Sequence, residues 1–364
     1  MRRAVWLLVL LGGLAFVVSL CGCGGDGQVA RGGVDTAGKP PPPPPGGLTN
    51  PAFAFAQASK SSRCRIYVMT FDGSKKLALT TPPTKGGDGW PTWSPDASKI
   101  IFARAPVNSL IWLDLYTVKP DGSGLTQIYS FPSSCDRNLL PKGKVRWFPD
   151  GNSVLYESDR SRAVVLDTTT KAFRLLDDDL NLGGYDPATQ TYAWTRLTNV
   201  VPGPDTNPEL DGYQGLIAYL SWETATGELH ICVVRVKTDP GTGRLVRDDN
   251  LLGGPTASKY MAYFVDWLSW SPDGSTLSFT SMQTDLLTMP VTISGDQIIS
   301  EATTIFTGQG LTLTTWSPNG QRIAFSPSSA DLMWVSSIGG PATNLTNSPN
   351  EWELDPDWNP KWVP

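Results

Sequence analysis

The 364-residue sequence contains only one histidine, His230. A Ser-His-Asp triad or a zinc site would have to use this side chain, and Cys232 adds only one ligand where zinc needs three or four. A Gly-x-Ser-x-Gly nucleophile turn and a glycine-rich phosphate loop are also missing. These absences predict no metal, no cofactor and no enzymatic activity.

Helical periodicity and clustered basic residues are missing as well. Apolar and polar residues alternate over short runs bounded by turn residues, which is the pattern of β-strands. The 29 basic and 34 acidic residues form no basic stripe, so we exclude nucleic acid as a partner. The composition therefore predicts an all-β fold with a net negative charge.

One long apolar run, residues 4–20, follows Arg2 and Arg3. This layout is typical of a secretory signal peptide, and the run also has the minimum length for an uncleaved anchor. The sequence Leu20-Cys21-Gly22-Cys23 resembles a bacterial lipobox, which implies cleavage after residue 22 and a lipid on Cys23. Cys21 is the poorer candidate, because Leu20 would then stand where a small residue is expected. We expect an exported, membrane-anchored lipoprotein of the periplasm or cell surface, with the choice of membrane left open.

Residues 23–50 are rich in glycine and include six consecutive prolines, Pro40–Pro45. Such a segment has too few apolar side chains to offset the entropy of ordering, and its prolines favour an extended conformation. We predict that residues 1–22 are a signal peptide, residues 23–50 a lipidated disordered tether and residues 51–364 the folded body. Loss of residues 1–22 removes only Arg2 and Arg3 among the charged residues, so the net charge changes from −5 to −7.

A tryptophan-containing turn recurs along the folded body. Its copies are Trp93-Ser94-Pro95-Asp96, Trp147-Phe148-Pro149-Asp150-Gly151, Trp270-Ser271-Pro272-Asp273-Gly274, Trp316-Ser317-Pro318-Asn319-Gly320 and the shorter Trp358-Asn359-Pro360. An apolar strand follows each of the first four turns, and three of the tryptophan spacings are 54, 46 and 42 residues. This self-similarity indicates a repeat architecture in which each repeat is one small sheet.

These turns and strands resemble the TolB-like, WD-type β-propeller repeat over essentially all of residues 51–364. The resemblance implies a ring of four-stranded blades. In the long interval between Trp147 and Trp270 we place one blade, whose strands are Gly184–Pro187, Thr191–Leu197, Gly215–Trp222 and Glu228–Val236. This gives six blades, or seven if Gly215–Trp222 opens a separate blade. A final strand at residues 355–362 and three initial strands at residues 52–57, 65–71 and 76–80 predict a ring closed by both termini.

In such a ring, the turns between first and second strands share one face with the turns between third and fourth strands; we call it the turn face. The other connections share the opposite face, the loop face. We predict that the long segments 81–89, 131–143, 198–214 and 237–262 lie on the loop face and carry the binding residues. The candidates are Trp90, Arg104, Asp136, Arg137, Arg160, Asp205, Tyr213, Tyr260 and Trp352. A disulfide between Cys64 and Cys135 on this face would leave Cys232 as a buried thiol.

The resemblance also implies a binding role, since propellers of this family bind other envelope proteins. We therefore expect a monomeric, non-catalytic scaffold for an envelope protein. Two alternatives stay open. A carbohydrate-binding or carbohydrate-processing propeller would have paired carboxylates at the channel mouth, and a small-ligand-binding propeller would have an enclosed polar pocket in the channel.

Overall fold

The computed structural model describes residues 48–59, 62–83, 86–105, 114–132, 134–182, 185–186, 191–192, 194–206, 213–248, 256–258, 265–294, 297–327 and 331–363. Within these ranges the chain forms six antiparallel blades arranged in a ring, with one four-residue helix. The expected all-β propeller with six blades is confirmed. The predicted signal peptide, Cys23 and the tether up to residue 47 lie outside the described residues. Within the described residues, the structure has no helix with the length and apolar character needed to cross a membrane.

The strands follow one another blade by blade. The chain begins with β1 (Phe53–Ser59), β2 (Ser62–Met69) and β3 (Lys76–Ala78). Blade 2 comprises β4 (Gly87–Trp93), β5 (Ile100–Ala105), β6 (Asp114–Val118) and β7 (Thr126–Tyr129). Blade 3 comprises β8 (Arg146–Trp147), β9 (Ser153–Glu157), β10 (Ala163–Asp167) and β11 (Phe173–Leu175), followed by helix α1 (Leu176–Asp179). A separate hairpin of β12 (Tyr185–Asp186) and β13 (Thr191–Tyr192) precedes blade 4.

The second half of the ring is more elaborate. Blade 4 comprises β14 (Trp194–Pro202), β15 (Gln214–Glu223), β16 (Leu229–Thr238), the short β17 (Leu245–Arg247) beside β16, and β18 (Thr256–Ser258). Blade 5 comprises β19 (Val265–Trp270), β20 (Thr276–Ser281), β21 (Asp285–Pro290) and β24 (Thr303–Thr307). Between β21 and β24 the chain forms β22 (Ile293–Ser294) and β23 (Gln297–Ile298), and β23 pairs with β18 of blade 4. Blade 6 comprises β25 (Thr312–Trp316), β26 (Arg322–Ser326), β27 (Met333–Ser336) and β28 (Thr343–Asn344). The last strand, β29 (Glu351–Trp358), completes blade 1.

The two ends of the described chain close the ring together, as predicted. β29 pairs antiparallel with β1 so that Trp358 lies opposite Phe53, and their ring centroids are 4.5 Å apart. The Asn50 side chain donates a hydrogen bond to the carbonyl of Val363 at 2.9 Å. Leu48 packs against the core between blades 1 and 2. Leu48 and Asn50, at the end of the predicted tether, therefore contact the propeller. One closed sheet leaves no open edge at the junction of the termini.

A buried apolar cluster fills each of the six junctions between neighbouring blades. Phe53 of blade 1 packs with Ala324 of blade 6, for example, and Ile101 of blade 2 packs with Tyr156 of blade 3. Equivalent clusters occupy the four other junctions. A chain too long for one core thus buries its apolar side chains in six small ones.

The recurring turns have the chemistry that their sequence predicts. In the turn of blade 5, the Ser271 hydroxyl donates to Asp273 at 2.5 Å, and the Asp273 carboxylate accepts the backbone N–H of Ser275 at 3.0 Å. Gly274 has φ +68°, and an added Cβ would lie 2.9 Å from Pro204 of the neighbouring blade. The turn thus fixes the angle between the first two strands and packs on the blade beside it.

The strand assignment within blade 4 differs from the prediction. β14 is the inner strand, and Gly215–Trp222 belongs to the second strand rather than the third. Of the predicted first strand at Gly184–Pro187, the described residues Tyr185 and Asp186 form β12, which pairs with β13. The reason is that β14 ends in Pro202, followed by Gly203 and Pro204, so no Trp-Ser-Pro-Asp-Gly turn marks its end. The segments predicted as the third and fourth strands of this blade are therefore its second and third strands.

Candidate functional site

Five of the nine predicted binding residues lie at loop-face ends of strands or in loop-face connections: Arg104, Asp136, Arg137, Arg160 and Trp352. Trp90 lies in the middle of inner strand β4. Arg160 is exposed in the turn between β9 and β10, and Trp352 is 43% exposed at the start of β29. Arg137 donates to the Asp159 carboxylate at 2.5 Å, and the Asp136 carboxylate accepts the backbone N–H of Asn138 at 2.9 Å. Asp136, Arg137, Arg160 and Trp352 are thus the exposed residues among these candidates, which a partner could reach.

Arg104 has a different role from the one predicted. Its side chain is only 5% exposed, and it donates to both carboxylate oxygens of Asp88, at 2.6 and 2.9 Å. Its guanidinium also lies over the Tyr116 ring, 4.7 Å from the centroid. Burial lowers the Arg104 pKa, but the Asp88 carboxylate outweighs it and the net shift is upward. Arg104 therefore holds β4 to β5 within blade 2.

Asp205 and Tyr213 lie on the turn face, not on the predicted loop face. They flank the connection between β14 and β15, which is the first-to-second connection of blade 4. The Tyr213 ring packs 5.3 Å from Phe148, which belongs to the equivalent turn of blade 3. Likewise, the connection after β16 leaves on the turn face, so the first part of the predicted 237–262 loop is there too. Tyr260 lies outside the described residues.

The predicted disulfide between Cys64 and Cys135 is not formed in the structure, where both residues carry thiols. Cys64 lies on β2 beside Gly87 of blade 2. Cys135 packs into the junction between blades 2 and 3, and its Sγ donates to the Asp136 carbonyl at 3.4 Å. The two side chains thus belong to different blade junctions. Cys232 is fully buried, as predicted.

The sequence prediction missed a group of charged residues near the ring axis. The inner strands of five blades have a bulge at a residue with positive φ, three positions before the strand's end. These residues are Trp90, Asn199, Trp267, Leu313 and Asp355. In blade 3, Lys144 takes the equivalent position, three residues before Trp147. The bulges turn backbone N–H groups toward the preceding blade: the Asn199 side chain accepts from the Trp267 N–H at 3.0 Å, and the Asp355 carboxylate accepts from the Trp90 N–H at 3.4 Å.

Two basic side chains of blade 3 cross the centre of the ring. Lys144, 6% exposed, donates from Nζ to the Asp357 carboxylate of blade 1 at 2.8 Å, passing blade 2. The Arg146 guanidinium donates to the Leu268 carbonyl of blade 5 at 3.3 Å, passing blade 4. Asp357 also accepts the backbone N–H of Trp93 at 2.8 Å. Lys144 and Arg146 therefore link blade 3 to two blades that are not its neighbours in the ring.

Burial controls the charges of this axial group. It lowers the Lys144 pKa, against the opposing effect of Asp357, and it lowers the Arg146 pKa to about 10. Burial raises the pKa of Asp355 to about 6 and that of Asp266 to about 6, although Asn199 donates to the Asp266 carboxylate at 2.6 Å. Two carboxyl groups near the axis therefore change charge close to neutral pH, where a carboxyl can exchange a proton with a ligand.

The sequence contains signals for the axial group, but their meaning becomes clear only when the arrangement of the blades in the ring is known. Lys144 and Arg146 stand three and one residues before Trp147, and Asp355 and Asp357 stand three and one residues before Trp358. Opposite charges at equivalent positions of two repeats indicate that the repeats meet. Nothing in the spacing alone says that they meet across the axis.

The turn face carries an apolar cleft of about 240 Å³ between blades 5, 6 and 1. Its walls include the tryptophans and prolines of three successive turns: Trp270, Pro272, Trp316, Pro318, Trp358 and Pro360. The tryptophans are mostly buried, as expected for side chains that pack between blades. Three strongly exposed apolar residues lie in turn-face connections of the same blades: Ile299, Ile338 and Val363, with exposures of 49%, 92% and 68%.

No family model matches the sequence, and no curated protein matches it. Among solved structures, the chain is similar to TolB from Acinetobacter baumannii, with 16% identity, a TM-score of 0.57, and coverage of 85% of this chain and 67% of that one. It is also similar to an oligogalacturonate lyase in complex with manganese, with 12% identity, a TM-score of 0.39, and coverage of 82% and 85%. A gluconolactonase from Xanthomonas campestris gives 13% identity, a TM-score of 0.47, and coverage of 84% and 89%. At these identities the likeness shows the fold alone, a TolB-like propeller.

The prediction that the chain is not an enzyme is contradicted by this set of structures. A lyase and a gluconolactonase share the propeller fold, so the fold does not exclude catalysis. Their TM-scores, below 0.5, assign neither activity to this chain. The correction has a general reason: the ring is a scaffold, and chemistry depends on the side chains at its axis and faces.

Proposed function

We propose that the chain is a lipid-anchored envelope protein whose propeller binds an apolar segment of another envelope protein. The observation that carries this proposal is the apolar sector of the turn face, where the cleft of tryptophans and prolines lies in the same three blades as Ile299, Ile338 and Val363. Exposed apolar side chains grouped in one sector are typical of surfaces that bind a protein. The sequence resemblance to TolB-like propellers implies the same class of function.

Photo-crosslinking tests this proposal residue by residue. A photoreactive amino acid is placed at Ile338 in the third-to-fourth turn of blade 6, or at Thr169 in the equivalent turn of blade 3. Both positions are exposed on the turn face, but only Ile338 belongs to the apolar sector. We expect a discrete crosslinked envelope protein from position 338 and none from position 169. A third variant at Arg160 monitors the loop face, and a crosslink there alone would refute the turn-face assignment.

The lipid anchor is a separate part of the proposal. It rests on the lipobox resemblance of Leu20-Cys21-Gly22-Cys23. We expect radiolabelled palmitate to be incorporated into the wild-type protein and into Cys21→Ser, but not into Cys23→Ser. Label in Cys23→Ser that is absent from Cys21→Ser would move the lipid to Cys21, and no label in any form would favour an uncleaved anchor.

The carboxyl groups near the axis favour a second candidate function, the binding or processing of carbohydrate. A carboxyl group with a pKa of about 6, such as that of Asp266, can be protonated near neutral pH and can act as a general acid. We would measure the binding and cleavage of acidic and neutral oligosaccharides by the wild type and by Asp266→Asn. An oligosaccharide that binds both forms but is cleaved only by the wild type would support this candidate. Absence of binding would contradict it.

A further inference from the structure

The hairpin between β15 and β16 brings three potential metal ligands together. Glu223 ends β15, and Glu228 and His230 lie at the start of the returning strand. The backbone N–H of Glu223 donates to the Glu228 carbonyl at 2.9 Å, and His230 lies opposite Ser221. Because side chains alternate along a strand, this register places all three residues on one side of the hairpin.

The geometry of the three side chains is compact. His230 Nε2 is 4.0 Å from Glu223 Oε2 and 3.9 Å from Glu228 Oε2, and the three ligand atoms lie within 4.8 Å of one another. The point in their plane that is equidistant from these atoms is therefore no more than about 2.5 Å from each, against ~2.0–2.2 Å for zinc bonds to nitrogen and carboxylate oxygen. Small changes in side-chain torsions would bring all three ligands to bonding distance.

The surroundings of the His230 imidazole are those of a metal site rather than those of a group of solvated surface side chains. His230 is only 9% exposed, and its Nε2 is shielded from solvent and faces both carboxylates. The two glutamates are about 40% exposed, so an ion could enter and keep a water ligand. Thr226 donates to Glu223 Oε2 at 2.7 Å and so orients the first carboxylate. A buried nitrogen ligand with two accessible, oriented oxygen ligands resembles a preformed site.

We propose that Glu223, Glu228 and His230 bind a divalent transition-metal ion, such as Zn²⁺, on the loop face of blade 4. The imidazole favours zinc and related ions over Mg²⁺ and Ca²⁺, which prefer oxygen ligands alone. With three protein ligands the ion has an open coordination position for water or for a group of a partner molecule. The two carboxylates and the ion together are neutral, so binding also removes their mutual repulsion.

The test uses tag-free full-length protein, dialysed against chelator and titrated with Zn²⁺ by calorimetry. We expect one Zn²⁺ per chain, no comparable heat with Mg²⁺, and a higher melting temperature with Zn²⁺. Replacing Zn²⁺ with Co²⁺ should give visible absorption bands whose intensity reports the coordination number. Glu228→Gln and His230→Gln should each weaken binding by at least about tenfold. Glu301→Gln, an exposed glutamate outside the cluster, is the matched control and should bind as the wild type does.

Two results would overturn the proposal. One is no saturable binding by the wild type at millimolar Zn²⁺, which would make the cluster an ordinary surface ion pair. The other is unchanged stoichiometry and affinity in both Glu228→Gln and His230→Gln. Glu228 is sufficiently exposed for its substitution to leave the fold intact, so the test does not depend on the buried histidine variant.

Discussion

Replacing Asp355 with asparagine is expected to stabilise the protein at neutral and alkaline pH. Asp355 is 8% exposed on inner strand β29, and burial raises its pKa from 3.8 to about 6. The folded state therefore keeps the Asp355 proton to a higher pH than the unfolded state does. Between these two pKa values the folded state binds more protons, so the free energy of unfolding falls as the pH rises.

The size of the effect follows from the pKa shift. A rise from 3.8 to about 6 corresponds to about 3 kcal/mol at 1.36 kcal/mol per pKa unit. This cost is absent below about pH 3 and nearly complete above about pH 7. Asparagine keeps an oxygen that can accept the Trp90 N–H, and it tolerates the positive φ of +57° better than most residues. Its buried amide donors cost about 1–2 kcal/mol, which leaves a net gain of about 1–2 kcal/mol at pH 8.

Urea unfolding followed by tryptophan fluorescence, at several pH values from 4 to 8, measures this effect. We expect the stability of Asp355→Asn relative to the wild type to increase by about 2.4 kcal/mol over that range. Asp273→Asn is the control of opposite sign, because the Ser271 hydroxyl lowers the Asp273 pKa. The stabilising contribution of Asp273 is present above its unfolded pKa and is lost as the pH falls through its lower folded pKa. Asp273→Asn should therefore lose more stability relative to the wild type at neutral pH than at acidic pH. A relative stability of Asp355→Asn that stays constant or falls with pH would refute the reasoning.

Two further predictions concern the architecture. A chain ending at Leu354 lacks the second half of β29, including Trp358 and its contact with Phe53, and should lose its cooperative thermal transition. A chain ending at Trp362 should keep that transition, and a cooperative melt of the shorter chain would contradict closure by both termini. Arg104→Met leaves the Asp88 carboxylate buried without its counter-charge and should cost about 3–5 kcal/mol in urea unfolding. The double variant with Asp88→Asn should recover part of that loss, whereas Arg160→Ala should change stability by no more than about 0.5 kcal/mol. Equal effects of Arg104→Met and Arg160→Ala would show that Arg104 is not the structural residue inferred here.

The repeating turns made the blade count predictable because the residues that fix each turn lie within the turn itself. Ser271, Asp273 and Gly274 fix their turn through bonds within five residues, and the same spacing marks blades 2, 3 and 6. Blade 4 was assigned wrongly because its inner strand ends at Pro202 without that signal. An error of one strand there moved Asp205 and Tyr213 to the wrong face, since successive connections alternate between faces.

The candidate sites were less predictable than the fold. Glu228 and His230 are two residues apart and so share a strand face, but Glu223 joins them only through the register of the β15–β16 hairpin. Arg104 was a reasonable binding candidate by position, yet its partner Asp88 is 16 residues away on the adjacent strand. In each case the sequence did not show which strands are adjacent in the sheet.

The all-β class, the six-blade ring and its closure by both termini were predictable from the amino-acid sequence, because short-range turn chemistry and alternating strands repeat at the length of a blade. Which side chains meet at the axis depends on contacts between distant segments of the chain. Lys144 bonds Asp357 across 213 residues, and Arg146 reaches Leu268 across 122. The pKa values of Asp266 and Asp355 likewise depend on burial by other blades. These properties depend on how the ring closes in space, which no local pattern contains.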